Sequence, residues 1–153
     1  MRWTLDSLSG AEERFIVANR AYPEFELPVC PDTFDVQTPL SGLHAALEKA
    51  SQDWVAVAAC DLPFLTPLYW QKLCAFRDNA QAVVVARAGR LEPLAALYHR
   101  NTRFMAEKRL VRGEPAVYAF IEAIDVCIID WTTLGLTEQT LTNVNRVRDL
   151  YTS

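Results

Sequence analysis

The sequence predicts a three-layer α/β sandwich with a mostly parallel sheet, and three observations lead to this fold class. First, strand and helix patterns alternate through the first half of the chain, as they do in βαβ units. Second, the apolar run from Trp54 to Ala59 fits a strand that is buried on both faces, and Asp61 follows it. Third, 51% of the 153 residues are hydrophobic and 22% are charged, which is ordinary for one domain with a single core.

The first half of the chain is predicted to begin within a helix and then to alternate. Apolar residues at positions 40, 43, 46, 47 and 50 form one face of a helix. Pro63 ends the buried strand, and Thr66 followed by Pro67 is typical of a helix start. The predicted elements are strands at 14–19 and 27–30, a helix at 39–50, the strand that begins at 54, and a helix at 66–78.

The second half continues with a turn at Gly89 and Arg90 that separates two strands. Two helices, a further strand and a short terminal helix follow. The predicted elements are strands at 82–86 and 93–98, helices at 102–110 and 114–123, a strand at 125–130, an extended piece at 143–145 and a helix at 146–151.

Charge and hydropathy exclude several classes of protein. The formal net charge of −4 argues against a nucleic-acid-binding surface, which needs clustered lysine and arginine. No apolar stretch reaches the length of a membrane span, and the first residues lack the apolar region of a signal peptide. We therefore expect a cytoplasmic protein with no membrane partner. The cysteines at 30, 60, 74 and 127 are too far apart for a Cys-x-x-Cys site and are expected to be buried free thiols.

Asp61 is the first candidate site residue. Open α/β sheets bind ligands outside the carboxyl ends of their strands, and a strand buried on both faces does not accommodate an unpaired charge. Asp61 is therefore expected at the mouth of a crevice, where it faces solvent, a cation or the start of a helix.

Four segments, in this order and spacing, resemble the molybdenum cofactor guanylyltransferases over nearly the whole chain. No one of them is specific by itself, but their succession is. They are Thr38-Pro-Leu-Ser-Gly-Leu43 before a helix, Ala59-Cys-Asp-Leu-Pro-Phe64, Glu92-Pro-Leu-Ala-Ala-Leu-Tyr98 and Asn143-Val-Asn145.

The resemblance implies a Rossmann-like nucleotidyltransferase fold that transfers GMP from GTP to molybdopterin with magnesium. It implies that Asp61 coordinates the magnesium and that Asp32 contacts the guanine nucleotide. Gly42 corresponds to a loop glycine near the nucleotide, and Asn143 and Asn145 correspond to an asparagine pair beside the active site. The implied partners are GTP and molybdopterin, with a second copy of the chain or proteins of the molybdenum cofactor pathway as further candidates.

The sequence departs from the family pattern at its beginning. The family's first strand, its glycine-rich loop and the lysine shortly after have no counterpart here, and Thr38 stands where the family usually has glycine. The first strand of a doubly wound sheet is central, so its loss leaves backbone groups without partners. We expect a native polypeptide that begins upstream of Met1. The alternatives are a chain that pairs its free strand edges with another chain or copy, or an inactive relative.

Each candidate also has a plain structural interpretation. Asp61 is in a position to cap the next helix, and Asp32 suits a turn. Gly42 suits close packing of its helix, and Asn143 and Asn145 suit turns and caps.

Four other residues receive structural rather than chemical interpretations. His44 and His99 are expected to face solvent on a helix and a loop, because no second ligand stands at metal-binding spacing. Cys60 is expected to be an inert thiol in the core. Glu92 is expected to be a charge at the start of a strand.

Two alternative functions stay open at this point. One is a different nucleotidyltransferase, acting on another cofactor or a sugar nucleotide, although Asp61-Leu-Pro63 is not the Asp-x-Asp pair that glycosyltransferases usually need. The other is a noncatalytic module that binds molybdopterin or a partner protein.

Overall fold

A computed structural model describes residues 1–144 of the protein. The strands among these residues form two sheets. In the smaller sheet β1 (Ile16–Val17) and β2 (Val29–Cys30) pair in parallel. The larger sheet has the order β3–β6–β4, with β5 and β7 also paired to β4. Its strands are β3 (Trp54–Ala58), β4 (Ala82–Arg87), β5 (Arg90–Leu91), β6 (Ala95–His99) and β7 (Val126–Asp130).

Within residues 1–144, five α-helices pack around the sheets close to the positions that the sequence predicts. Short 3₁₀ turns connect several of the elements. The helices are α1 (Arg2–Ser7), α2 (Pro39–Lys49), α3 (Pro67–Cys74), α4 (Arg103–Val111) and α5 (Val117–Glu122). The helix predicted at 146–151 lies outside the described residues.

Alternation along β4 creates the two cores of the three-layer sandwich. Val84 points to the face covered by α2, α4 and α5, where Leu43 and Phe120 are fully buried. Val83 and Val85 point to the opposite face, which α3 and the segment after β7 cover. Because successive strand residues face opposite sides, one apolar run serves both cores. The three-layer architecture is confirmed.

The prediction of a mostly parallel sheet is wrong for the larger sheet. β6 runs antiparallel to both β3 and β4, and β5 runs antiparallel to β4, whereas β7 is parallel to β4. The cause is the tight turn after β4, where Ala88 and Gly89 both have positive φ. This geometry closes a two-residue hairpin, and a parallel strand would need a crossover of a dozen residues or more.

The start of α2 is fixed by a reciprocal pair of hydrogen bonds. The Thr38 Oγ1 accepts from the Ser41 backbone N–H at 3.3 Å, and the Ser41 Oγ accepts from the Thr38 N–H at 3.1 Å. These bonds satisfy backbone donors that the first turn of a helix leaves free. Thr38, a departure from the family pattern, therefore has a structural role as the N-cap of α2.

None of the helices in the part of the chain that the structure describes has the length and apolar character needed to cross a lipid bilayer.

Candidate functional site

The candidate site lies at the carboxyl ends of β1, β2 and β3. Asn19, Asp32 and Asp61 each follow one of these strands by two or three residues. A cavity of about 950 Å³ extends from this rim between β1 and β3, and Asp32, Gly42 and Cys60 line it. Ligands of open α/β sheets bind at such carboxyl ends.

Asp32 is held at the rim by Asn19. The Asn19 Nδ2 donates to the Asp32 Oδ2 at 3.2 Å, and the Asp32 backbone N–H donates to the Asn19 Oδ1 at 3.0 Å. Both contacts are made by the Asn19 side chain, and they orient the Asp32 carboxylate. The other oxygen of this carboxylate, Oδ1, is directed towards α2. Sequence reasoning missed Asn19 as part of the site. The available signal was a polar residue directly after a short apolar strand.

Gly42 lies in the first turn of α2, beside Asp32. A Cβ built on Gly42 would have the Asp32 Oδ1 as its nearest neighbour among the described residues, at 3.9 Å, which is an ordinary contact distance. Close packing of the helix is therefore no reason for a glycine here. What glycine provides is an uncovered stretch of helix backbone on the cavity wall.

Asp61 lies in the turn between β3 and α3 and is half-buried. Its backbone carbonyl accepts a hydrogen bond from the Val144 N–H at 2.8 Å, and this bond brings Asn143 next to the turn. The following residue, Leu62, accepts from the Thr4 Oγ1 at 3.3 Å. The helix start itself is capped by Thr66, whose Oγ1 accepts from the Tyr69 N–H. Thr66, and not Asp61, therefore caps α3.

The predicted site residues fall into two groups that belong to different sheets. Asp32 and Gly42 belong to the side of β1, β2 and α2, whereas Asp61 and Asn143 belong to the side of β3. Asn145 lies outside the described residues. Within residues 1–144, His, Cys, Asp and Glu nowhere gather in a group of three or more that would hold a metal ion.

Two predictions about neighbouring residues are wrong. His44 is buried, and its Nδ1 hydrogen-bonds the Thr33 Oγ1 at 2.9 Å. Burial lowers the pKa of His44; Glu107 and Glu48 oppose this shift, and Arg103 adds to it. His99 is half-buried at the end of β6, and its ring forms an edge-to-face pair with the ring of Trp54.

The cysteines are also less buried than predicted. Cys60 is exposed in the turn after β3. The prediction that this strand is buried on both faces is also wrong, because only Val55 of β3 is buried and its other residues are half-buried. Cys30, Cys74 and Cys127 are half-buried, and all four thiols are free.

Glu92 lies close to the same sheet edge, because β6 starts where β3 and β4 end. Burial raises the pKa of its carboxyl group, while Arg87 and Arg90 act in the opposite direction. Its Oε1 is 4.0 Å from the Arg87 Nε. Arg87 also donates to the backbone carbonyls of Glu138 and Leu141, so this pair anchors the segment that leads to Asn143.

The model of the MobA-like NTP transferase domain family matches residues 1–126. The chain belongs to this family. The resemblance to molybdenum cofactor guanylyltransferases, inferred above from four short segments, is thereby confirmed.

Curated relatives support the same assignment. A protein of Carboxydothermus hydrogenoformans named "Probable molybdenum cofactor guanylyltransferase" is 33% identical over 143 residues, which cover 91% of this chain and 73% of the relative. Relatives of the same name from Clostridium perfringens are 33% identical over 111 residues and 71% of this chain. The match spans 56% of the length of these Clostridium relatives.

Solved structures show the same fold. Molybdopterin-guanine dinucleotide biosynthesis protein A from Archaeoglobus fulgidus superposes with a TM-score of 0.80 at 21% identity, over 98% of this chain and 80% of that one. The 2-C-methyl-D-erythritol 4-phosphate cytidylyltransferase from Thermus thermophilus superposes with a TM-score of 0.68 at 20% identity, over 97% of this chain and 83% of that one. These likenesses support the Rossmann-like nucleotidyltransferase fold inferred from the sequence.

Proposed function

We propose that this chain carries the nucleotidyltransferase chemistry of molybdenum cofactor biosynthesis, in which GMP passes from GTP to molybdopterin. The observation that carries the proposal is the position of Asp61, half-buried in the turn at the carboxyl end of β3 in a MobA-like domain. The names of the curated relatives supply the substrates.

In this reaction a phosphate oxygen of molybdopterin forms a bond to the α-phosphorus of GTP, and the bond from that phosphorus to the bridging oxygen breaks. Pyrophosphate leaves. Negative charge grows on the nonbridging oxygens and on the leaving group, so a site that places positive charge there accelerates transfer. The substrate supplies the nucleophile, and no side chain has to form a covalent intermediate.

The donors at the rim fit magnesium. This ion prefers oxygen ligands, and it is usually bound by one or two protein carboxylates while water and phosphate oxygens complete the shell. Asp61 would hold it, which is consistent with the absence of a three-ligand group within residues 1–144. When bound, magnesium would neutralise the charge on the triphosphate.

The other residues would bind and orient the substrates. Asp32, fixed by Asn19, would accept hydrogen bonds from the nucleotide. Gly42 would let the nucleotide approach the backbone of α2. Asn143 would lie beside the reacting groups, because the Val144 bond holds it next to the Asp61 turn. Asn145 would have the same role.

The test is release of pyrophosphate from GTP in the presence of molybdopterin and magnesium. We expect Asp61→Asn to lower the rate by about a hundredfold or more, because it removes the charge that holds the metal. Asp78→Asn is the matched control, since Asp78 is exposed in the loop after α3. Mn²⁺ binding in the presence of GTP, followed by electron paramagnetic resonance, gives a second readout. Equal rates and equal Mn²⁺ binding in the two variants would refute the role of Asp61.

One observation favours binding without transfer as a second function. The two candidate carboxylates follow strands of different sheets, Asp32 after β2 of the smaller sheet and Asp61 after β3 of the larger sheet. A protein that binds GTP or molybdopterin but releases no pyrophosphate with magnesium would have this function. Competition of GTP with CTP and sugar nucleotides would identify the preferred nucleotide.

A further inference from the structure

The segment after β7 crosses the carboxyl edge of the larger sheet. β6 is antiparallel to both β3 and β4, and β7 is parallel to β4, so β3, β4 and β7 run in the same direction and end at one edge. The segment begins after Asp130 at the end of β7. Its far end reaches the turn after β3, where the Val144 N–H donates to the Asp61 carbonyl at 2.8 Å. We call residues 131–144 the crossing segment.

Buried side chains fix the first part of the crossing segment but not its end. Trp131, Leu134 and Leu141 are buried in the core that α3 covers. Beyond Leu141 the described chain lies less deeply, because residues 142 and 144 are half-buried and Asn143 is exposed. The position of Asn143 therefore depends on the hydrogen bonds that hold the backbone on either side of it.

Arg87 holds the crossing segment where it passes β4. This residue is the last of β4, and its Nη1 donates to the Glu138 carbonyl at 3.1 Å while its Nη2 donates to the Leu141 carbonyl at 3.4 Å. A guanidinium group is planar and fixes the spacing of its donors, so one side chain orients both carbonyls. The chain from Leu141 to Val144 spans at most about 10 Å. A shift of the Leu141 carbonyl is therefore passed on to Asn143.

Glu92 holds the Arg87 side chain in turn. The Glu92 backbone N–H donates to the Val85 carbonyl at 2.9 Å, which fixes Glu92 beside β4. Its Oε1 is 4.0 Å from the Arg87 Nε, the nitrogen that the two carbonyl bonds do not use. The side chains of Arg87 and Glu92 are 35% and 27% exposed, so water screens this pair only in part. Each nitrogen of the guanidinium group thus has an acceptor or an anion within 4.0 Å.

We propose that Arg87 is a positioning residue, which holds Asn143 against the Asp61 turn and thereby raises the rate of transfer without contributing to the binding of GTP. Its effect on the rate rests on the proposed function, whereas its hold on the crossing segment does not. Arg87 acts through two backbone carbonyls and touches neither substrate. A misplacement of about 1 Å in a group beside the reacting atoms slows a reaction by up to about a hundredfold, so a distant contact of this kind has a measurable effect.

Hydrogen exchange at the Val144 amide, read by NMR, measures the hold on the segment without any activity. Arg87→Met keeps an apolar stem and removes the donors. We expect the Val144 amide to exchange about tenfold faster or more in this variant, because the end of the crossing segment then opens without unfolding of the domain. The amide of Val84, a fully buried residue of β4, is the reference for unfolding of the whole domain. Unchanged exchange at Val144, or equal acceleration at both amides, would overturn the inference.

Release of pyrophosphate from GTP, with molybdopterin and magnesium, measures the consequence for the rate. We expect kcat of Arg87→Met to fall about 10–100-fold, while KM for GTP changes by less than about twofold. A residue that binds GTP would instead raise KM when it is replaced. A change confined to KM would overturn the inference, and so would an unchanged kcat in a variant whose Val144 amide exchanges faster.

Two further variants separate the geometry of the guanidinium group from its charge. Arg90→Met removes the same charge from an exposed residue of the same hairpin, and both readouts should stay as in the wild type. Arg87→Lys keeps the charge but lacks the planar pair of donors, so its Val144 amide should exchange faster than in the wild type and its kcat should be lower. Circular dichroism checks the fold of each variant. Full recovery in Arg87→Lys, or an equal defect in Arg90→Met, would overturn the inference.

The two readouts distinguish a failure of this inference from a failure of the proposed function. If the wild-type protein releases no pyrophosphate, the proposed function is refuted, and exchange at the Val144 amide in Arg87→Met still decides whether Arg87 holds the crossing segment. If the wild-type protein is active and Arg87→Met leaves both exchange and kcat unchanged, the role of Arg87 is refuted and the proposed function stands.

Discussion

Replacement of Gly42 by alanine should change stability and nucleotide affinity in opposite directions. Gly42 is inside α2, where glycine is less favourable than alanine by about 0.5–1 kcal/mol. The new Cβ would meet the Asp32 Oδ1 at 3.9 Å, so no steric cost offsets this gain. We therefore expect the free energy of unfolding to rise by about 0.5–1 kcal/mol. For a chain of this size that is about 1–4 °C in the unfolding midpoint.

The same methyl group would cover the helix backbone on the cavity wall. If the nucleotide approaches α2 at Gly42, the variant should bind GTP about tenfold or more weakly, because an added methyl group keeps the phosphates from the backbone. Thermal scans and calorimetric titration with GTP and magnesium measure the two effects. Ala45→Gly, on a fully buried residue of the same helix, is a control that should lower stability. A Gly42→Ala variant with lower stability, or with unchanged GTP affinity, would refute the reasoning.

Two further predictions concern stability. Tyr69→Phe removes the hydroxyl that donates to the Ala95 carbonyl within the core, and we expect a loss of about 1–3 kcal/mol in urea unfolding, because the carbonyl stays buried without its partner. His44 should make stability depend on pH: its folded pKa is below the usual 6.5, so the unfolded chain binds more protons between these two values and stability should rise with pH across that window. Urea unfolding at several pH values should show this slope, and His44→Gln should abolish it while His99→Gln retains it.

The sequence predicted the elements better than their pairing. The helix at α2 and the strand at β3 followed from apolar periodicity and from a proline that ends the strand, and these signals are local. The direction of β6 depends on the turn after β4, where a non-glycine residue, Ala88, adopts positive φ. Hydropathy indicates which face of a strand is buried but not which strand lies at its edge, so the sheet was predicted to be mostly parallel.

The burial of single residues was also predicted less well than the positions of the helices and strands. His44 is buried on the same helix as Leu40 and Leu47, four residues after the one and three before the other. The prediction that it faces solvent did not use this spacing. Its contact with the Thr33 hydroxyl explains how the ring is accommodated. Cys60 comes two residues after the end of β3, and it is exposed. The apolar run of the sequence does not show where burial along this strand ends.

The residues of the candidate site could be predicted from the sequence, but their division between two sheets could not. Asp32 and Asp61 both follow strands, and the sequence places both at the carboxyl edge of a sheet. The pairing of the strands before them could not be predicted, because hydropathy does not show which strands are neighbours. In the structure the two residues follow strands of different sheets, and Asn19, which orients Asp32, is held by the smaller sheet.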